Sequence, residues 1–65
     1  MTRVNIEAER ARLQMTKEQM CAALGITAKT YNAYIGGDHA IPSTVLEKLR
    51  AMTGKSIDYL LNLES

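Results

Sequence analysis

The 65-residue sequence has no tryptophan and no phenylalanine, and holds only three tyrosines, one cysteine, one proline and one histidine. Each scarcity excludes something. A single cysteine, Cys21, cannot form an intrachain disulfide, so it reads as a small buried hydrophobe. One proline and little alternation of β-branched residues argue against strands. The one histidine, His39, has no partner at metal-ligand spacing and no nucleophile beside it. With no paired acid and base and no glycine-rich phosphate loop, an enzyme has little support. No apolar run is long enough to span a membrane. The N-terminal stretch MTRVNIEAER is charged where a signal peptide needs an apolar core, so a cytoplasmic location is the default expectation. An excess of one charge is also missing. Eight Lys and Arg face seven Asp and Glu, a formal net charge of +1. Strongly basic domains announce a nucleic-acid partner through their charge, and this chain does not. By net charge alone, an ordinary soluble domain fits equally well.

What the sequence does have is apolar residues at helical spacing, 46% of the chain. Sixty-five residues make one small domain, which buries only about 60% of its unfolded surface and has little room for a substrate pocket. No repeat, low-complexity segment or linker interrupts it. The stretch 16–35, TKEQMCAALGITAKTYNAYI, organises the rest. Met20, Cys21 and Leu24 fall on one stripe of a first short helix, and Tyr31, Tyr34 and Ile35 on one stripe of a second. Gly25-Ile26-Thr27 reads as a tight turn between them. Glycine suits the left-handed residue that ends a helix, and Thr27 suits the N-cap of the next. Thr16-Lys17-Glu18-Gln19 fits a capping box. The second helix leaves Ala28, Lys29, Thr30, Asn32 and Ala33 facing outward. That face is small and polar with one charge, as suits a surface pressed against something else.

The flanks complete a helical pattern. Met1 to Arg3 reads as a frayed arm. Asn5 is placed to cap a helix with Glu7 and Glu9 in its first turn, and Ile6, Arg10 and Leu13 share a stripe. Gly36 to Ile41 is a loop, with two glycines ending the preceding helix. Pro42 and Ser43 open a fourth helix, Thr44-x-x-Glu47 offers it a second capping box, and Gly54 ends it. Val45, Leu46, Leu49 and Met52 form its inward stripe, with Lys48 and Arg50 solvated. Ser56 caps a last short helix with Asp58 in its first turn. Ile57, Leu60 and Leu61 close the core, and residues 62–65 read as a frayed tail. Five basic residues before Tyr31 (Arg3, Arg10, Arg12, Lys17, Lys29) face three acidic ones (Glu7, Glu9, Glu18), so the end with the two short helices is locally positive.

The stretch 16–35 resembles the helix-turn-helix of the lambda-repressor-like, Cro-type (XRE) family of phage and bacterial transcriptional regulators. Lys17, Met20, Cys21, Leu24, Gly25, Ile26, Thr27, Tyr31 and Tyr34 occupy matching places. The resemblance continues through Ile41-Pro42-Ser43, Gly54 and Ser56 to Leu61, so it spans about residues 4 to 61. It implies an all-α fold of five helices, residues 1–65 forming a single helix-turn-helix domain. It also implies a third helix that enters the major groove of DNA. Ala28, Lys29, Thr30, Asn32 and Ala33 are then the base-contact candidates. Lys29 can donate to guanine O6 and N7, Asn32 can pair with adenine N6 and N7, and Thr30 or Ala28 can touch a thymine methyl. Thr16, Lys17, Thr27, Tyr31, Gly37 and His39 are the phosphate candidates. Helix N-termini favour anions, whereas Asp38 in the loop would repel them. His39 reads equally as a solvated loop residue. Tyr31 departs from the usual Val or Ile; its ring belongs in the core, with its hydroxyl expected at the surface. Family members often pair the arginine matching Arg10 with a glutamate at the position of Ile35. Here that acid is missing, which leaves Arg10 to Glu7, Glu9 or water. In the family the last helix often makes a homodimer contact, so Tyr59, Leu60 and Leu63 are interface candidates, although Leu60 fits the core as well.

Two functions follow. One is a sequence-specific regulator, expected to be a repressor, that binds double-stranded DNA at a palindromic operator as a homodimer. The other is a protein-interaction module, antirepressor or antitoxin-like, built on the same fold; a negative patch around Lys17, Lys29 and Gly37 would favour it. Neither calls for a cofactor or a metal, and no small-molecule ligand domain is visible.

Overall fold

Left-handed backbone residues punctuate the chain at Gln14, Gly25, Gly37, Gly54 and Asn62. Between them lie five helices: α1 (Val4–Arg12), α2 (Lys17–Leu24), α3 (Ala28–Gly36), α4 (Ser43–Thr53) and α5 (Ile57–Leu60). The structure is a computed structural model and describes residues 2–63. No strand occurs among the described residues.

The helix starts divide into two kinds. At α2 the capping box forms as the spacing predicts. Thr16 Oγ1 accepts from the Gln19 N–H at 3.0 Å and Gln19 Oε1 accepts from the Thr16 N–H at 2.8 Å. Thr27 caps α3 by accepting from the Thr30 N–H at 3.2 Å, and Ser56 caps α5 by accepting from the Tyr59 N–H at 3.1 Å. At the other two starts the expected caps do not form. Asn5 lies inside α1 and caps nothing; the N-cap is Arg3, with no side-chain bond. Asn5 is occupied elsewhere: its N–H donates to Asn62 Oδ1 at 3.1 Å and its Nδ2 to the Tyr59 carbonyl at 2.8 Å. Thr44 likewise sits within α4. That helix opens at Pro42 and Ser43 as the sequence reading has it, and the Pro42 carbonyl accepts from both Val45 and Leu46 at 3.0 Å. The Thr44–Glu47 capping box is therefore absent.

Both ends of the described residues are tied down as well. Arg3 is not frayed. Its N–H donates to the Ile35 carbonyl at 2.7 Å, and its Nη1 donates to the carbonyls of Tyr34 at 2.6 Å and His39 at 2.8 Å. Asn62 and Leu63 close α5 in the same left-handed motif that ends α2, with N–H groups donating to the Tyr59 carbonyl (3.0 Å) and the Asp58 carbonyl (2.8 Å). Met1, Glu64 and Ser65, the rest of the expected arm and tail, lie outside the described residues.

The core joins all five helices. Ile6, Met20, Cys21, Leu24, Tyr31, Ile41, Val45, Leu49 and Leu60 are buried, with Tyr34, Ile35, Leu46, Met52, Tyr59 and Leu61 packed around them. Ile57 stays half-buried. Helix α2 packs on α3 and α4, α1 on α3 and α5, and α4 on α5. The result measures 29 × 23 × 19 Å. Glu9 is an exception to the apolar interior. It is 4% exposed and lies beyond the first turn expected for it, and it is matched by Arg12 at 2.8 Å, with Tyr59 Oη at 3.4 Å. The Arg12 hydrogen bond holds its carboxyl below the usual carboxylate range although burial opposes it.

Candidate nucleic-acid interface

The sharp turn from α2 to α3 sets the outer face. Gly25 takes φ +71°, and the Gly25 and Ile26 N–H groups return to the carbonyls of Ala22 at 3.3 Å and Cys21 at 3.0 Å. These bonds consume the free carbonyls at the end of α2, and the chain leaves at an angle that lets α3 pack across it. The Lys48 ammonium, read as simply solvated, lies 3.8 Å from where a Cβ on Gly25 would stand. A cation thus sits at the negative end of α2.

Helix α3 buries Tyr31 and half-buries Tyr34 and Ile35 on its inner side. Ala28, Lys29 and Asn32 are exposed, and Thr30 and Ala33 half-exposed. The five expected base-contact residues therefore line one accessible strip. Thr16, Lys17 and Thr27 are exposed at the starts of α2 and α3, and Lys17 Nζ reaches Asn32 Oδ1 at 3.4 Å. The first N–H groups of a helix have no partner within it, and here the Gln19 and Thr30 N–H groups are taken by the caps Thr16 and Thr27. Thr27 Oγ1 and Thr30 Oγ1 lie 3.0 Å apart, so the two hydroxyls share one proton and keep one free to donate outward.

The loop after α3 is less loose than its composition suggests. Gly37 has φ +83° and His39 is exposed. The arginine fork from residue 3 bridges the end of α3 to His39, fixing the loop beside the face. That role escaped the sequence reading, because partners 31 and 36 residues away leave no local signal. Asp38 is exposed beyond Gly36, with its Oδ2 3.5 Å from where a Cβ there would lie, and it puts one negative charge at this end.

Two expected site residues do not belong. The Tyr31 ring is 1% exposed, and its hydroxyl donates to Glu7 Oε1 at 2.6 Å instead of reaching the surface. A donor spent on a carboxylate has nothing for a phosphate. Burial, then the Glu7 hydrogen bond, raise the phenol pKa further, so it stays neutral. Leu60 is fully buried and is core, not interface. Of the other two interface candidates, Leu63 is 63% exposed, while Tyr59 is half-buried under the Lys55 ammonium, 5.8 Å from its ring centroid.

A helix-turn-helix family model matches residues 6–60, nearly all of this arrangement. The chain belongs to that family. No curated protein and no solved structure matches it. The XRE-type helix-turn-helix family is one of DNA-binding transcription regulators and not of enzymes. No helix among the described residues is long and apolar enough to cross a membrane.

Proposed function

We propose that this helix-turn-helix protein is a sequence-specific repressor that binds a palindromic operator as a homodimer. Each copy places α3 in the major groove of one half-site. The observation that carries the reading is the composition of the α3 strip. Ala28 and Ala33 keep it flat, Thr30 and Asn32 supply hydrogen-bonding groups, and exposed Lys17 and Lys29 make it cationic although the net charge is only +1. Close approach needs small side chains, and base readout needs donors and acceptors at the groove edge. Thr16, Lys17 and Thr27 at the helix starts, and Gly37 and His39 in the Arg3-braced loop, are the phosphate-side contacts. The positive strip also disfavours the interaction-module reading, which would be better served by a negative patch here.

The dimer reading rests on exposed apolar side chains near the two ends of the described residues. Half-sites on one face of B-DNA are about 34–36 Å apart. A protomer 29 Å in its longest dimension can sit on each without overlapping its neighbour, so contact between copies depends on side chains that project from the facing ends. Among the described residues Val4 and Leu63 are the large exposed apolar side chains, 54% and 63% exposed, and the Asn5–Asn62 hydrogen bond brings their segments together.

The test is selection of bound duplexes from a random pool at two salt concentrations. Enrichment of an inverted repeat, with binding that weakens as salt rises, is the expected outcome. Enrichment of nothing by the folded protein would refute the reading and turn attention to a protein partner.

A further inference from the structure

Lys17, the first residue of α2, and Asn32, midway along α3, meet on the exposed side of the helix-turn-helix, where Lys17 Nζ donates to Asn32 Oδ1 at 3.4 Å. An ammonium has donors and no acceptor. The atom that Asn32 turns toward Lys17 must therefore be its amide oxygen, and the chemistry of the pair settles the amide's orientation. Among the described residues Nδ2 has no hydrogen-bond partner, and the side chain is exposed. Asn32 consequently meets a ligand with its donor end free and its acceptor end beside a positive charge.

That orientation bears on which base it can read. Pairing with adenine needs Oδ1 to accept from the N6 amino group while Nδ2 donates to N7. Here an ammonium already competes for Oδ1, and it would stand as a second donor against the N6 amino group. Guanine offers the complementary edge, with O6 and N7 as adjacent acceptors. Nδ2–H of Asn32 and a remaining N–H of Lys17 form a donor pair suited to that edge. We infer that Lys17 sets the base read at Asn32, so that the two side chains select guanine over adenine as a unit. Lys17 is then a specificity residue that contacts the base edge itself, in addition to any contact its third N–H makes with phosphate. The inference rests on the DNA-binding reading proposed above and replaces the adenine expected from Asn32 alone.

The bridge is exposed and contributes little to folding, so substitutions at either end leave the domain intact; cooperative thermal unfolding of each variant verifies this. The experiment passes the parent protein, Asn32→Ala, Lys17→Met and Lys17→Arg through the same duplex selection. Asn32→Ala identifies the position it reads by relaxing one column of the selected site, on the order of tenfold. The expected result is guanine in that column for the parent. Lys17→Met should cut the preference for guanine over adenine there by on the order of tenfold while the other columns hold. Lys17→Arg, which again presents only donors, should restore it. Three results overturn the inference and leave DNA binding standing: adenine in that column, no column relaxed by Asn32→Ala, or a Lys17→Met protein that loses affinity equally for every sequence. A parent protein that enriches no sequence overturns this inference and the DNA-binding reading together.

Discussion

Tyr31 concentrates what is individual about this chain. Where a helix-turn-helix of this type ordinarily has an aliphatic residue, the phenol reaches through the core to Glu7 at 2.6 Å. Glu7 in turn holds Arg10, through Oε2 to Nη2 at 2.8 Å and Oε1 to Nε at 3.2 Å. The acid missing at Ile35 is thus supplied from α1 itself, three residues before the arginine it serves. Tyr31→Phe removes one hydrogen bond to a charged, half-buried acceptor. It should cost about 1.5–3 kcal/mol in urea denaturation, with the slope against urea unchanged. The pH dependence follows from the same contact. Arg10 lowers the Glu7 pKa most, burial opposes it, and Tyr31 lowers it further. A carboxyl with a folded pKa below its ordinary value of 4.5 stabilises the fold fully above that value, and loses the contribution as pH falls through the folded pKa. Glu9, held low by Arg12, acts in the same direction. Stability should therefore be level near neutrality and fall below about pH 4.5. The fall should be shallower in Tyr31→Phe, whose Glu7 titrates closer to the unfolded value. Urea midpoints measured from pH 7 to 3 check this, and identical slopes for the two proteins would show the phenol and carboxyl to be uncoupled.

The helices are held chiefly at their ends, and α1 holds two of its neighbours. Arg3 closes the C-terminus of α3, and Arg12 Nη2 donates to the Thr53 carbonyl at 3.2 Å at the C-terminus of α4. Cations there satisfy free carbonyls and oppose the helix dipole. Arg3→Ala should destabilise the fold by about 1–3 kcal/mol and loosen the Gly37–His39 loop, read as faster amide exchange at residues 37–40. The end of α1 itself is poorly chosen. Gln14 takes φ +57° in the position that Gly25 fills at φ +71° after α2. Gln14→Gly should stabilise the protein by up to about 1 kcal/mol in thermal or urea unfolding, and Gly25→Ala should destabilise it by about as much. The caps at Thr16, Thr27 and Ser56 were legible in the sequence because a cap bond spans three residues and leaves a local pattern. The start of α4 at Pro42 and Ser43 was legible too, but the cap of α1 and the absence of a Thr44–Glu47 box were not. Asn5 has the right chemistry for a cap, but Asn62 and Tyr59, more than 50 residues away, claim it.

At the scale of the whole molecule, the apolar stripes were enough to place five helices around one core and to leave the α3 strip outside. What they could not settle was which side of a short helix faces in. Helix α5 has four residues, barely one turn, so Leu60 and Leu63 both looked available for an interface. The structure separates them: Leu60 is fully buried, whereas Leu63 projects beside the Val4 end of α1. That separation makes the dimer reading testable apart from folding. Leu60→Ala empties a core site and should cost about 2–5 kcal/mol, a large share of what a domain this small possesses. Leu63→Asp should leave the unfolding midpoint nearly unchanged. It adds a charge to the proposed contact between copies, so it should lower affinity for a two-half-site duplex while leaving affinity for a single half-site as it was. Gel-shift titrations on the two duplexes read that difference directly. Equal effects on both would remove Leu63 from the interface, and the contact between copies would have to lie on another face or be made through the DNA alone.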